Sequence, residues 1–330
     1  MTKMIKVQNL TKIYRTPIKS GNPLRDFFAR QYKQSIALDN ISFKIGENEL
    51  VGLIGPNGAG KTTTMKILSG ILYPTGGDIK VLGYTPSDKK PEFLRQIAFV
   101  MGQKNQLVWE LPATDAFELT RTVYGIDKKH FRQTVDNLCE LLNCSSFINQ
   151  PVKTLSLGQR MRVELINSLI HRPKILFLDE PTIGLDIFAQ TTIINFIKEY
   201  QERYQSTIIL TSHYMQDVQR LAKRVIIINH GRIIFDGQLT RLISKYSQEK
   251  TVNIILNHLL PEKFHLPDDI KCQYDFPTLK LNVRKEDIAS ILAYLLKEIE
   301  FNDVTIEDEP IEEVIKKIFT SSQNKESRPK

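Results

Sequence analysis

The chain has 330 residues, of which 41% are hydrophobic, enough to build one large domain with a smaller one and to exclude wholesale disorder. Its 45 Lys and Arg residues outnumber 37 Asp and Glu residues, so the formal net charge is +8 at pH 7. Such an excess suits a polyanionic partner such as a nucleotide, an anionic lipid or nucleic acid, although a basic protein without such a partner has the same composition.

The cysteines and the apolar runs indicate the compartment. The three cysteines, Cys139, Cys144 and Cys272, lack the paired spacing of a zinc site, so we expect buried free thiols in a reducing compartment. The opening residues lack the apolar core of a signal peptide, and no run approaches the ~18 apolar residues that a membrane span needs. We therefore expect a cytosolic chain that reaches a membrane only through a surface or a partner.

Apolar runs that predict strands recur along most of the chain, at residues 4–10, 41–45, 49–55, 95–103, 174–181, 206–213 and 224–237. The last of these contains "NHG" and predicts a hairpin. Residues 112–170 show helical spacing instead, which predicts a helical subdomain inserted between strands, with bounds of 104–170. The fold class expected for residues 1–240 is therefore α/β.

The composition changes near residue 240. Short strands and two helices predicted over residues 241–320 indicate a small α+β domain. The polar segment 321–330 is expected to be disordered.

A glycine-rich loop follows the strand at 49–55. "GPNGAGKT", residues 55–62, matches the G-x-x-x-x-G-K-[ST] pattern and lies between a predicted strand and a predicted helix. Its glycines let successive backbone N–H groups point at phosphate oxygens, Lys61 supplies charge for the β- and γ-phosphates, and the Thr62 hydroxyl is suited to Mg²⁺. The expected cradle for a nucleoside triphosphate comprises Gly55, Pro56, Asn57, Gly58, Ala59, Gly60, Lys61, Thr62 and Thr63.

Polar residues at the ends of three other strands complete a candidate hydrolytic site. Asp179 ends the strand "ILFLD" and would hold Mg²⁺, and Glu180 is the candidate general base for the attacking water. Gln103 would reach Mg²⁺ or that water. His213 would bind the γ-phosphate and orient the water, unless it is a hydrogen-bonded core residue. Tyr14 is a candidate to stack on the adenine, a role that any exposed aromatic residue would also fill.

These motifs together resemble a known family. "GPNGAGKTT", Gln103, "LSLGQ", "LFLDEP", "GLD" and "TSH" occur in the order and approximate spacing of ATP-binding cassette (ABC) ATPases, over about residues 5–240. The resemblance implies a P-loop ABC ATPase cassette at 1–240, with the inserted helical subdomain and the small C-terminal α+β domain. It also implies a head-to-tail dimer of cassettes, homomeric or heteromeric, with ATP between the subunits.

In such a dimer, "LSLGQ" serves the nucleotide of the partner. Ser156 and the N–H groups of Gly158 and Gln159, at the start of a helix, would grip the γ-phosphate across the interface, near which Asp186 would also lie. Leu157 stands where the commonest family pattern has glycine, so its side chain must point away from the phosphate.

Among ABC proteins, the chain resembles transporter subunits, which would require a separate integral-membrane permease and a place on the cytoplasmic side of the cell membrane. The alternative is a soluble ABC ATPase acting on ribosomes or nucleic acid. Ribosome-binding factors typically carry two cassettes in one chain, and DNA-repair or chromosome-structuring ATPases carry a longer insertion than residues 112–170. Direct contact with nucleic acid is therefore not expected.

Two segments of the sequence are candidates for contact with the permease. The stretches "GQKNQLVWELPATDAFEL", "LSLGQRMRVEL" and "IEDEPIEEVIKKIF" resemble exporter-type ATPase subunits of the daunorubicin- and viologen-resistance kind. In the ABC family the neighbourhood of "QLVWELP" receives a short cytoplasmic helix of the permease, and Trp109 either joins that contact or is core. Residues 16–36 exceed the short turn that the family needs. Near-helical spacing there predicts a helix that packs on the cassette or contacts membrane or permease, with the residues Leu24, Phe27, Phe28, Tyr32 and Ile36 on one side.

Overall fold

The computed structural model describes residues 3–18, 31–102, 106–247, 249–261, 264–267 and 270–326. The chain divides into two compact units, Met1–Gln238 and Leu239–Lys330. Within the described residues, every helix is too short or too polar to span a bilayer.

The described strands of the first unit form two sheets. They are β1 (Lys3–Ile18), β2 (Gln31–Gly46), β3 (Leu50–Ile54), β4 (Gly76–Val81), β5 (Ile97–Met101), β6 (Ile175–Asp179), β7 (Thr207–Thr211), β8 (Arg224–Asn229) and β9 (Arg232–Gln238). The larger sheet has the order β5-β6-β7-β3-β8-β9 and is parallel except for β9, which returns antiparallel to β8 through the predicted hairpin. Because all residues of β6 and β7 are buried, polar side chains become available only where these strands end.

The smaller sheet, β2-β1-β4, is antiparallel. Its strands β1 and β2 remain paired as far as Ile18 and Gln31. The helical interpretation of residues 16–36 is therefore wrong for Tyr32 and Ile36, which lie exposed on β2. Pairing with β1 supplies the backbone hydrogen bonds that a helix would otherwise provide. The remaining residues of the predicted apolar side lie outside the described residues, namely Leu24, Phe27 and Phe28.

The helices of the first unit are α1 (Lys61–Leu68), α2 (Pro91–Leu94), α3 (Ala113–Tyr124), α4 (Lys128–Leu141), α5 (Leu157–Leu169), α6 (Ile187–Tyr204) and α7 (Met215–Leu221), with short 3-10 turns at Pro86–Asp88 and Val152–Thr154. The helices α3, α4 and α5 fall in the segment 104–170 that was predicted to be helical. Their apolar sides, including Phe117 and Phe131, join one hydrophobic cluster with residues of β5 and β6. The helical segment is thus packed into the same core as the large sheet.

The thiols divide between core and surface. Burial raises the pKa of Cys139 to about 11 and that of Cys144 to about 12, so both remain protonated and unreactive near neutral pH. Cys272 is exposed, contrary to the expectation of a buried thiol, because it lies on a strand at the edge of the second unit's sheet.

The second unit is an antiparallel sheet with helices. Its strands are β10 (Glu249–Leu256), β11 (Lys271–Asp275), β12 (Thr278–Arg284) and β13 (Phe301–Asp308), in the order β11-β12-β10-β13, and its helices are α8 (Leu239–Tyr246), α9 (Ile288–Glu298) and α10 (Ile311–Glu326). Alternate residues of β10, such as Val252 and Ile254, form a core with Leu295 of α9. The α10 helix extends six residues into the segment 321–330, which was expected to be disordered. Once a helix has formed, adding further residues to its end costs little free energy, even when those residues are polar.

The packing of α3 predicts that substitutions at two nearby positions, Phe117 and Leu119, change the free energy of unfolding by very different amounts. Phe117 is 1% exposed, whereas Leu119 is 62% exposed. We expect Phe117→Ala to lower the free energy of unfolding of the first unit by about 3–5 kcal/mol, and Leu119→Ala to change it by less than about 0.5 kcal/mol. Urea unfolding followed by circular dichroism measures both. Equal losses in the two variants would contradict this description of the helical segment.

Candidate functional site

The loop between β3 and α1 has the curled backbone that its glycines predict. Gly58 and Gly60 have φ values of +78° and +110°. A Cβ on Gly60 would lie 2.7 Å from the carbonyl oxygen of Ala37, so no larger residue fits there without a shift of the backbone. The loop can therefore turn its N–H groups inward, as phosphate binding requires.

Lys61 is held in place by the loop itself. Its side chain is 5% exposed, and its Nζ donates to the carbonyl oxygens of Gly55 at 2.7 Å and Pro56 at 3.1 Å. Burial lowers the pKa of Lys61, while the nearby carboxylates of Glu180 and Asp179 raise it. A cation buried at this position is suited to meet phosphate oxygens in the loop.

Asp179 connects the loop to the sheet. Its Oδ1 accepts hydrogen bonds from Thr62 Oγ1 at 3.2 Å and from Thr211 Oγ1, at the end of β7, at 2.7 Å. Thr211 was not among the predicted site residues, although its place at the end of a buried strand, before His213, was a usable signal. Among the described residues, no cluster of three or more His, Cys, Asp and Glu side chains is arranged to hold a metal ion. The hard oxygens of Thr62 and Asp179 nevertheless fit Mg²⁺, which takes one or two protein ligands when phosphates supply others.

Glu180 and His213 form a pair beside this junction. His213 Nε2 lies 2.8 Å from Glu180 Oε1, and the two side chains are 36% and 13% exposed. His213 is thus not a core residue. The Glu180 backbone has a φ of +56°, unusual for a residue with a side chain, and its N–H donates to the hydroxyl of Thr211 at 3.0 Å. The arrangement fixes a carboxylate and an imidazole next to the phosphate loop, where a water would be activated.

Two predicted residues flank the loop. The Tyr14 hydroxyl lies 3.4 Å from Thr63 Oγ1, and its ring, partly exposed, has Lys12 Nζ 5.3 Å from the centroid. This places an aromatic face next to the start of α1. Gln103 lies outside the described residues, but the N–H of Gly102 before it donates to the carbonyl oxygen of Asp179 at 2.9 Å.

The "LSLGQ" segment forms the N-terminus of α5 with a capping box. Ser156 Oγ accepts from the N–H of Gln159 at 3.2 Å, and Gln159 Oε1 accepts from the N–H of Ser156 at 2.9 Å. The N–H of Gln159, expected to bind phosphate, is therefore occupied by the cap in this structure. The N-terminus still presents positive helix-dipole charge, which suits an anion.

The start of α5 packs against the start of α6. Gly158 is buried, and a Cβ there would lie 2.7 Å from the Cβ of Ala189, so the two helices approach closely because glycine is present. Asp186 caps α6 by accepting from the N–H of Ala189 at 2.9 Å. The half-exposed side chain of Leu157 lies close to Gly184. A Cβ added to Gly184 would be 3.3 Å from Leu157 Cδ2. Two capped helix N-termini thus lie side by side.

Trp109 is a surface residue. Its side chain is 48% exposed, and the guanidinium carbon of Arg160, on α5, lies 5.1 Å from its ring centroid. The structure therefore excludes the interpretation that Trp109 is simply core. Val108 and Leu111 beside it are also exposed.

Comparison with known proteins identifies the family. The model of the ABC transporter family matches residues 38–183. The chain is 31% identical over 224 residues to the ABC transporter ATP-binding protein NatA of Bacillus subtilis, covering 68% of this chain and 91% of NatA. It is 29% identical over 271 residues to the methionine import ATP-binding protein MetN 1 of Acinetobacter baylyi, covering 80% of this chain and 75% of that protein.

A solved structure shows the same fold. The dimeric structure of a post-hydrolysis state of the ATP-binding cassette MJ0796, bound to ADP and Pi, matches with a TM-score of 0.61 and 25% identity, over 72% of this chain and 99% of that one. Because NatA is also matched over nearly its whole length, the chain belongs to the ABC transporter family and is one of its ATP-binding, ATP-hydrolysing cassettes.

Proposed function

We propose that the chain works as one of a pair of cassettes, homodimeric or heterodimeric, that hydrolyses ATP and powers a separately encoded integral-membrane permease in the direction of export. The proposal that the chain hydrolyses ATP at this site rests mainly on the 2.8 Å contact between His213 and Glu180, beside the Lys61 loop and Asp179. Hydrolysis needs a base, a cation for the phosphates and a metal-binding oxygen, and this edge of the sheet supplies all of them.

The chemistry assigns one role to each group. Glu180 takes a proton from the attacking water while the water oxygen bonds to the γ-phosphorus and the bond from that phosphorus to the bridging oxygen breaks, which leaves ADP and phosphate. Lys61 meets the β- and γ-phosphates, and His213 orients the water and binds the γ-phosphate. Mg²⁺, when bound by Thr62 and Asp179 with Gln103 as a further ligand, would neutralise phosphate charge.

The second half of each site is proposed to come from the partner cassette. The solved cassette MJ0796 is described as dimeric and bound to ADP and Pi. In this proposal the N-terminus of α5 would bind the anion, and Ser156 is exposed there, as a surface that meets another chain's phosphate must be. A two-fold axis would then place each chain's "LSLGQ" against the other chain's nucleotide, so one interface would complete two sites.

The transport part rests on the exposed residues around Trp109. An exposed tryptophan with exposed apolar neighbours is typical of the centre of a protein–protein interface. We therefore propose that this surface receives the permease and places the chain on the cytoplasmic side of the membrane. Export rests on the resemblance to daunorubicin- and viologen-resistance subunits, whereas one relative is named for methionine import. The alternative remains a soluble ABC ATPase acting on ribosomes or nucleic acid.

The roles of Glu180 and Lys61 predict two different defects. Glu180→Gln should lower ATP turnover about 10²–10⁴-fold while MgATP still binds, because only the base is lost. Lys61→Ala should weaken binding itself, because the cation between the loop and the phosphates is removed. Phosphate release and equilibrium binding of a fluorescent ATP analogue separate the two. Wild-type turnover in Glu180→Gln would disprove its role as base, and unchanged binding in Lys61→Ala would contradict the site.

The proposed permease surface is tested by purification from native membranes. The tagged chain, extracted in mild detergent, should bring down a polytopic membrane protein, and Trp109→Ala should weaken that association without unfolding the cassette. Tyr73→Ala is the matched control, because Tyr73 is also an exposed aromatic residue faced by a cation, Lys89, at 5.3 Å. Recovery of ribosomes or DNA in place of a membrane protein would favour the soluble alternative.

A further inference from the structure

The strand β11 leaves one edge of the second unit's sheet open. The sheet has the order β11-β12-β10-β13, so β11 is paired with β12 on one side only, and its five residues, Lys271–Asp275, are all exposed. Within the described part of the chain, no strand pairs with the N–H and C=O groups on its outer side. An edge of this kind is a template on which another strand can pair.

The sequence of β11 is complementary in charge to itself. The strand is Lys-Cys-Gln-Tyr-Asp, with a cation at one end and an anion at the other. Two antiparallel copies must be centred on a residue, because residues opposite each other turn their backbone groups either both across the pair or both away from it. Of these registers, only the one centred on Gln273 pairs all five residues. It places Lys271 of each copy opposite Asp275 of the other.

The two charged residues are available for this contact. Within the described part of the second unit, neither Lys271 nor Asp275 has an ion-pair partner. A lysine on an edge strand ordinarily discourages pairing with another chain, because its charge is left without a counter-charge. In the register centred on Gln273 the opposite charges lie directly across from each other, which stabilises a strand pair. The charges of β11 therefore select one register instead of blocking the edge.

The other two residues of β11 lie on the apolar side of the sheet. Cys272 is opposite Leu281 of β12, and Tyr274 is opposite Leu279. Both leucines are buried in the core that includes α9, whereas Tyr274 is 43% exposed at the rim of that core. In the same register Cys272 lies opposite Tyr274 of the other copy, and a sulfur beside an aromatic ring is a favourable contact. Pairing would thus continue both faces of the sheet.

The opposite edge of the sheet lacks this complementarity. The strand β13 carries Asp303, Glu307 and Asp308 and has no basic residue. Pairing of β13 with a copy of itself would bring like charges together, which destabilises a sheet. Pairing of β11 with β13 would leave a free edge at each end and add chains without limit, whereas β11 with β11 closes as a two-fold pair.

We propose that β11 is a self-association surface, on which a second copy of this chain pairs antiparallel about Gln273 and joins the two four-stranded sheets edge to edge. The contact needs no nucleotide, so it goes beyond the ATP-dependent dimer of the proposed function. A five-residue strand buries less than the ~1,200–2,000 Å² of a stable interface, so the association is weak and reversible. A chain without this strand would not fit the edge, so the pairing favours two identical chains.

Disulfide formation tests the register directly. All variants carry Cys272→Ser, which removes the exposed native thiol, and are oxidised without nucleotide and with EDTA, so that ATP plays no part. Gln273→Cys should give a covalent dimer, because Cβ atoms directly opposite each other lie ~4.5–5.5 Å apart, close to the reach of a disulfide. Lys271→Cys alone should give none, because its two thiols would lie four residues apart along the pair, or ~13 Å. Mixed with Asp275→Cys chains, it should give a covalent dimer of the two kinds.

An exchange of charges tests the same register without oxidation. Lys271→Glu and Asp275→Lys each place like charges opposite each other, so each should raise the dissociation constant measured by analytical ultracentrifugation about tenfold. An equal mixture of the two variants should associate as the parent does, because opposite charges then meet only between unlike chains. Both positions are exposed, so the Tm of each variant should equal that of the parent.

Thr305→Cys is the matched control, because Thr305 is exposed on the other edge strand, β13, and this variant should stay monomeric under oxidation. The inference is overturned if Gln273→Cys gives no covalent dimer, or if Lys271→Cys alone or Thr305→Cys gives as much of it. It is also overturned if the mixed charge variants fail to associate. Because nucleotide is absent throughout, each of these failures leaves the proposed ATP hydrolysis and ATP-dependent dimer standing.

Discussion

The Asp179 carboxylate is the point at which the phosphate loop, β6 and β7 are held together. A carboxylate at the end of a fully buried strand must find hydrogen-bond donors, and Thr62 and Thr211 supply them from the loop and the next strand. The backbone carbonyl of the same residue accepts from Gly102, on the other side of β6. One residue thus sets the spacing of the Lys61 loop, the Glu180–His213 pair and the segment that leads to the helical subdomain.

The second organising contact is the approach of α5 to α6 at Gly158 and Ala189. It places two capped helix N-termini side by side, at Ser156 and Asp186. The carboxylate of Asp186 offsets the dipole charge of α6, whereas the uncharged Ser156 leaves the positive dipole charge of α5 in place. A single chain that already has a phosphate loop has no evident need for a second candidate anion-binding end. In the proposed dimer, a two-fold axis would set the N-terminus of α5 of each chain against the phosphate loop of the other, so both features would be used at once.

The sequence alone predicted most of the parallel sheet, and it placed candidate site residues where the strands end. Long apolar runs such as "KILFLDEP" leave few alternatives to a buried strand, and the polar residue after each run marks its end. The edge strand β11 was missed because its residues are all exposed and show no apolar alternation. The extension of β1 and β2 was mistaken for a helix because spacing at Tyr32 and Ile36 fits both periods, and long-range pairing decided between them. The burial of Glu164 was not predictable, since a glutamate in a helix is usually exposed to solvent.

The central claim is that each ATP site is completed by another chain, and a disulfide-crosslinking measurement tests it most directly. Ser156→Cys and Asn57→Cys introduce exposed thiols at the two halves of the site, in a Glu180→Gln, Cys272→Ser background that removes the exposed native thiol. Chains carrying one substitution each are mixed and oxidised with and without MgATP. We expect a covalent dimer that needs both kinds of chain and MgATP. A mixture that gives no covalent dimer of the two kinds of chain with MgATP, or gives it equally without MgATP, would contradict it.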